Sequence, residues 1–281
     1  MATLTLPSDI KKTVKAALKE DIGKGDVTAS LIPPETTATA TVITRETAIL
    51  CGREWFTETM LQMSDEISIN WQAQDGDLIS ENQTLCTIKG PARAILSAER
   101  VALNFLQLLS GIATESRRYA DRVKGLKTAI RDTRKTIPGL RLAQKYAVRC
   151  GGCENHRIGL YDGVLIKENH ILACGSITKA VEKIRASHPR MPIEVEVENL
   201  EEFHEALAAK ADMLLLDNFD RATLQRAVIL NKGQAKLEAS GGVTFDEIRG
   251  LAESGVDYIA IGTLTKDIQS IDLSMRFTTD T

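Results

Sequence analysis

From about Ala129 onward the chain repeats one rhythm, a short apolar run followed by a helical stretch, and no other feature restricts its fold so tightly. The runs "TAIRDTR", "GVLIKENH", "IEVEVEN", "MLLLDNF", "AKLEASGG" and "YIAIGTL" alternate with segments such as "SITKAVEKIRASH" and "LEEFHEALAAK". Strand–helix alternation of this kind implies a parallel sheet with helices packed on it. Six units are visible, fewer than a closed (β/α)₈ barrel contains. The expectation is therefore an incomplete, open α/β barrel, with a doubly wound sheet as the second choice. The runs end on polar or small residues: Arg134 and Lys135, Lys167 and Asn169, Glu196 and Glu198, Asp217 and Asn218, Ser240 to Gly242, and Gly262 with Thr263. In barrels the C-terminal strand ends carry the active site, so this pattern predicts one functional mouth.

Up to about Thr114 the texture is mixed. "SDIKKTVKAALKED" reads as an amphipathic helix capped by Ser8 or Asp9, and "TATATVITRETAILCG" alternates like a strand. "ARAILSAERVALNFLQLLSGIAT" reads as an apolar helix closed by Gly111. A formal net charge of −3 and 4% aromatic residues argue against a nucleic-acid binder. No apolar run is expected to approach the length of a membrane span, and the opening segment breaks into charge before a signal-peptide core can form. Five cysteines without framework spacing fit a compartment where thiols stay reduced, so a cytoplasmic protein is expected.

In "IEVEVEN", Ile193, Val195 and Val197 share one face of a strand while Glu194, Glu196 and Glu198 share the other. In a helix-covered barrel strand the carboxylates point inward and need cations or hydroxyls around them. A Mg²⁺ ion with a phosphorylated sugar meets that need, since Mg²⁺ takes one or two carboxylates plus substrate oxygens. An ordinary wet face of an antiparallel sheet is the competing reading. "LEASGGVTFDEIRGL" runs strand, Ser-Gly-Gly, helix, a pattern that suits a phosphate cradle and more often is a plain turn. "CGGC" at Cys150–Cys153 lacks a second pair for structural zinc and reads as a close-packed glycine turn. His156 is either a structural histidine or a site residue.

The segment "RDTRKTIPGLRLAQKYAVRCGGCENHRIGLYDGVLIKENH" gathers Arg131, Arg134, Lys135 and Arg141 ahead of an Asn-His-Arg triplet. It resembles the signature of the quinolinate phosphoribosyltransferase family, also called nicotinate-nucleotide pyrophosphorylase (carboxylating). The resemblance continues in register through "EVEVENLEE", "LLLDNF", "LEASGGV", "GVDYIAIGTLT" and "IDLSMRF" and covers essentially the whole chain. It implies condensation of quinolinate with phosphoribosyl pyrophosphate to nicotinate mononucleotide, pyrophosphate and CO₂, with Mg²⁺. It also implies an α/β sandwich-like N-terminal domain over 1–116, with the tail 268–281 packed on it. An open α/β barrel of the type II phosphoribosyltransferase kind follows over 117–267. A homodimer with shared active sites, or a higher homo-oligomer, is implied too, with neither nucleic acid nor membrane as partner.

Carried over by position, Arg100, Arg134, His156, Arg157 and Lys167 resemble the quinolinate-binding groups, Arg100 reaching into the partner's site. Guanidinium forks suit carboxylates. Lys135, Lys167, Glu196 and Asp217 resemble the catalytic residues. Of these, Lys135, Glu196 and Asp217 join Ser240, Gly241, Gly242 and Gly262 around the phosphoribosyl pyrophosphate, and Glu196 and Asp217 serve the metal. The chain departs from the family where Cys153 stands for a third glycine and Glu154 adds a negative charge. Two rivals are weighed. A transferase for another base is disfavoured by the number of cations, and a lipoyl or biotinyl carrier by the lack of a Lys-Met pair between Trp71 and Pro91.

Overall fold

The computed structural model describes residues 4–279. They form two compact units. One holds the residues up to Arg117 together with 136–152 and 263 onward, and the other holds 118–135 and 153–262.

The first unit starts with α1 (Ile10–Ile22), whose buried Ile10, Val14 and Leu18 recur every four residues and make one apolar stripe. Asp9 stands at its N-cap but makes no side-chain cap bond. Then come β1 (Thr37–Thr44), β2 (Ala48–Ile49), α2 (Arg53–Met63), β3 (Ser68–Trp71), β4 (Leu78–Ile79), β5 (Thr84–Pro91) and α3 (Ala92–Arg122). β1 buries every second residue, so Ala38, Ala40 and Val42 form one face. That face shares a core with Leu85 and Ile88 of β5, Phe56 and Met60 of α2, and Ile95, Ala98, Ala102 and Leu106 of α3.

Gly111 does not close α3, as composition suggested; the helix runs on to Arg122. The missing side chain is needed elsewhere, because a Cβ on Gly111 would stand 2.0 Å from the Gln269 carbonyl oxygen. α3 also has the length and apolarity of a membrane span, which the sequence reading did not anticipate. Its Ile95, Ala98, Ala102, Leu103 and Leu106 lie in the core just described.

In the second unit, β6 (Ala129–Arg131) begins a six-stranded parallel sheet, and the chain returns to it after α4 (Arg141–Cys150), which belongs to the first unit. The other strands are β7 (Val164–Ile166), β8 (Ile193–Val197), β9 (Met213–Asp217), β10 (Lys236–Ser240) and β11 (Tyr258–Ala260). Between them run α5 (Glu168–Cys174), α6 (Ile177–Ser187), α7 (Leu200–Ala208), α8 (Arg221–Asn231) and α9 (Ile248–Ala252). Ser176, Asn199 and Asp220 cap α6, α7 and α8 by accepting backbone N–H bonds. After α10 (Thr263–Lys266), β12 (Leu273–Thr279) returns to the first unit and pairs antiparallel with β1, giving the order β12-β1-β5-β3.

The parallel sheet runs β6-β11-β10-β9-β8-β7. That is the cyclic order of a barrel cut between β6 and β7. At the cut, Arg131 makes only an isolated parallel bridge to Glu154. The barrel is open, and the segment after Glu154 follows the seam.

Candidate active site

Two short motifs meet at the seam. The Glu154 amide donates to the Ile130 carbonyl and the Asp132 amide to the Glu154 carbonyl, which pins the segment alongside β6. Asp132, fully buried, then accepts from Asn155 Nδ2 at 2.7 Å and from the His156 amide at 2.9 Å. The aspartate of "DTRK" thus holds the asparagine and histidine of "ENHR", which brings Arg134 and Arg157 into electrostatic range of each other. Burial, and next the charge of Arg134, lower the pKa of Arg157; Glu194 and Asp162 act in the opposite sense. The Arg157 guanidinium donates to the Gly163 carbonyl at 2.9 Å. Among the described residues Arg134 Nε is buried without a hydrogen-bond partner, a donor available to a bound acceptor.

Deeper in the sheet, Glu194 of β8 and Glu238 of β10 are 5% and 0% exposed. His156 Nε2 lies 2.7 Å from Glu194 Oε2 and 3.6 Å from Glu238 Oε1. Arg131 reaches Glu238 at 3.3 Å and lies over the Tyr258 ring at 3.2 Å. Burial, and then the Glu194 charge, raise the Glu238 carboxyl to about 7, against the pull of His156 and Arg131. Burial pushes the His156 pKa down, but the hydrogen bond to Glu194 and the charges of both carboxylates outweigh it, so the net direction is up. Arg131, counted with the basic cluster from sequence, is therefore an internal partner of Glu238.

The strand ends carry the remaining candidates. Lys167 follows β7 and its Nζ lies 2.5 Å from Glu196 Oε2 of β8, with side-chain exposures of 43% and 13%. Asp217 ends β9 in register with Ser240 of β10, and its Oδ2 accepts from Asn218 Nδ2. Gly241 has φ +92°, and a Cβ there would meet Asn218 Oδ1 at 2.2 Å, so both conformation and space demand glycine. α9 begins at Ile248 rather than directly after Gly242, so the Ser240–Gly242 turn offers backbone amides without an adjoining helix end. The Lys135 side chain lies against Gly262, 3.0 Å from where a Cβ would stand.

Arg100 lies exposed on α3 in the first unit, while the other candidates belong to the second. Cys150 and Cys153 are free and buried; a Cβ on Gly151 would stand 2.3 Å from Ser116 Cβ, as in a close-packed turn. A separate cavity of about 770 Å³ in the first unit is lined by α1, α3 and Ile137–Leu140. Its charged residues are Asp9, Glu20 and Asp21 against Lys12 alone, which suits anions poorly.

Sequence reasoning missed Asp132, Asn155 and Glu238, and read Glu194 only as one of three inward-facing carboxylates. Glu238 could have been found as a charged residue inside the apolar run "KLEAS", since a buried charge needs a partner. Asp132 and Asn155 carry no such signal, because their partners lie 23 and 24 residues away.

Paired guanidiniums, a lysine–carboxylate pair and a glycine turn at the open ends of a parallel barrel define an enzyme class that handles small polyanions. The comparisons make the class specific. The quinolinate phosphoribosyl transferase N-terminal domain matches residues 26–110 and the C-terminal domain of the same family matches 112–276. The chain belongs to the quinolinate phosphoribosyltransferase family. It is 41% identical over 270 residues to a probable nicotinate-nucleotide pyrophosphorylase (carboxylating) of Bacillus subtilis, covering 96% of this chain and 93% of the relative. To the nicotinate-nucleotide pyrophosphorylase (carboxylating) of Mycobacterium leprae it is 40% identical, with coverages of 94% and 96%. The solved nicotinate-nucleotide pyrophosphorylase of Francisella tularensis superposes with a TM-score of 0.94 at 46% identity, over 98% of both chains.

Proposed function

We propose that the protein converts quinolinate and phosphoribosyl pyrophosphate to nicotinate mononucleotide, pyrophosphate and CO₂, a step of NAD biosynthesis. The observation that carries this reading is the joining of Arg134 and Arg157 through the Asp132–Asn155–His156 bonds. Two guanidiniums close enough for Arg134 to lower the proton affinity of Arg157 leave a site matched to a dicarboxylate. Arg134 offers its unpartnered Nε to one carboxylate, and Arg157, steadied by Gly163, takes the other. The Lys167 ammonium, paired with Glu196, is assigned to the dicarboxylate as well.

Glu196 and Asp217 suit the ribose hydroxyls and a Mg²⁺ ion. They are hard oxygen donors at the ends of neighbouring strands, each with one oxygen engaged by Lys167 or Asn218. Two carboxylates are too few for a closed cage, which agrees with an ion that completes its shell with substrate oxygens. When bound, Mg²⁺ supplies charge neutralisation for the departing pyrophosphate. Lys135 beside Gly262 and the amides of Ser240–Gly242 bind phosphate oxygens.

Attack of the pyridine nitrogen on the anomeric carbon passes through an oxocarbenium-like state, so orientation and charge stabilisation supply the catalysis. No covalent nucleophile is required. The resulting pyridinium nitrogen stabilises the carbanion left as the adjacent carboxylate departs as CO₂. The exposed Arg100 is assigned to a neighbouring subunit's site in a homodimer, and the protein is placed in the cytoplasm.

The test is product formation from quinolinate, phosphoribosyl pyrophosphate and Mg²⁺, with nicotinic acid in parallel and a chelator control. Metal-dependent nicotinate mononucleotide from quinolinate alone is the expected result. A folded protein that forms none has kept the motif for another anionic base.

A further inference from the structure

The geometry points to Glu194 as a positioning residue that sets the tautomer of His156 and, through it, the backbone of Arg157. His156 Nδ1 accepts the Arg157 amide hydrogen at 2.8 Å, so in the neutral ring that nitrogen carries the lone pair and no proton. The ring hydrogen is thereby on Nε2, where Glu194 Oε2 accepts it at 2.7 Å. Each end of the ring depends on the other. A hydrogen moved to Nδ1 would confront the Arg157 N–H and leave Nε2, a bare lone pair, facing a carboxylate.

Of the two buried carboxylates near the ring, Glu194 makes the contact. Glu238 is held by Arg131 and stands 3.6 Å from Nε2, beyond hydrogen-bonding reach. Glu194 is itself fixed by β8, where Val195 and Ile193 on either side are fully buried. A rigid strand therefore holds a carboxylate, the carboxylate holds the imidazole, and the imidazole holds the amide of a substrate-binding arginine. His156 accordingly serves Arg157, with both ring nitrogens turned to protein groups. This second layer of support is what a bidentate carboxylate site needs, because small misplacements of its donors weaken it steeply.

The inference rests on the proposed quinolinate site for its kinetic readout and on geometry alone for its spectroscopic one. Nitrogen-15 spectra of the wild-type protein should show a protonated Nε2 and an unprotonated Nδ1 on His156, with a slowly exchanging Arg157 amide. Glu194→Leu should lose both and raise the KM for quinolinate about tenfold to a hundredfold, with the KM for phosphoribosyl pyrophosphate little changed. Glu194→Gln, whose amide oxygen still accepts from Nε2, should recover most of that loss and keep the tautomer. A wild-type ring protonated on Nδ1 overturns the inference, as does a Glu194→Gln variant no better than Glu194→Leu. Lack of quinolinate turnover by wild type would instead sink the proposed function, leaving the ring-nitrogen and amide results to decide on Glu194.

Discussion

A buried arginine nitrogen without a partner is costly, and Arg134 Nε is such a nitrogen. The cost is tolerable where a substrate carboxylate supplies the missing acceptor. Arg134→Ala and Arg157→Ala are each expected to lower kcat/KM for quinolinate about a hundredfold, from charge-assisted bonds of about 1.5–3 kcal/mol apiece. Melting temperatures should fall little, since neither side chain belongs to the apolar core. Steady-state kinetics beside thermal melts check this, and collapsed stability with normal specific activity would reverse the assignment. Glu238 gives a second prediction. With its carboxyl raised to about 7, the folded protein holds a proton that the unfolded chain releases at ordinary carboxyl values. Its contribution to stability is therefore full at low pH and is lost as pH rises toward about 7. Glu238→Gln should flatten that decline in a series of melts from about pH 5 to about pH 8.

At the scale of elements, glycines mark where backbones crowd. Gly111 lies inside α3, where alanine would normally gain about 1 kcal/mol in helix propensity. The Gln269 carbonyl, 2.0 Å from a Cβ there, reverses the sign. Gly111→Ala should lower stability by about 1–3 kcal/mol, measured by denaturant melts. At the end of β10, Gly241→Ala would combine a strained φ with a clash on Asn218. It should raise the KM for phosphoribosyl pyrophosphate while leaving the core packed. Alternation along β1 and apolar spacing along α1 made those elements legible, because both report burial of a single face. The true end of α3 was not legible, because Gly111 answers to a carbonyl 158 residues further on rather than to its own helix.

For the whole molecule, the strand order explains where function sits. Consecutive units pair in sequence from β7 to β11, and β6 joins β11 rather than β7. The cut leaves an edge beside which the Asn155–Arg157 segment lies, so the opening and the candidate dicarboxylate site arise together. A shared active site predicts complementation. Arg100→Ala and Lys167→Ala, each inactive, should recover about a quarter of wild-type activity when mixed at equal amounts and allowed to exchange, since half the dimers are mixed and each has one intact site. Confirmed mixed dimers without recovered activity would place Arg100 outside any neighbour's site.

The sequence by itself determined the parallel, incomplete barrel, since the repeat of apolar runs and helices leaves the chain few other ways to bury its strands. It also determined which residues stand at the strand ends, because that follows from counting along each run. Only the tertiary structure decided that Arg131 serves Glu238 rather than the substrate, that Asp132 ties two motifs together, and that both nitrogens of His156 face protein groups. Those choices depend on which charges meet after burial, and distances of a few ångströms between residues far apart in the chain leave no trace in local pattern.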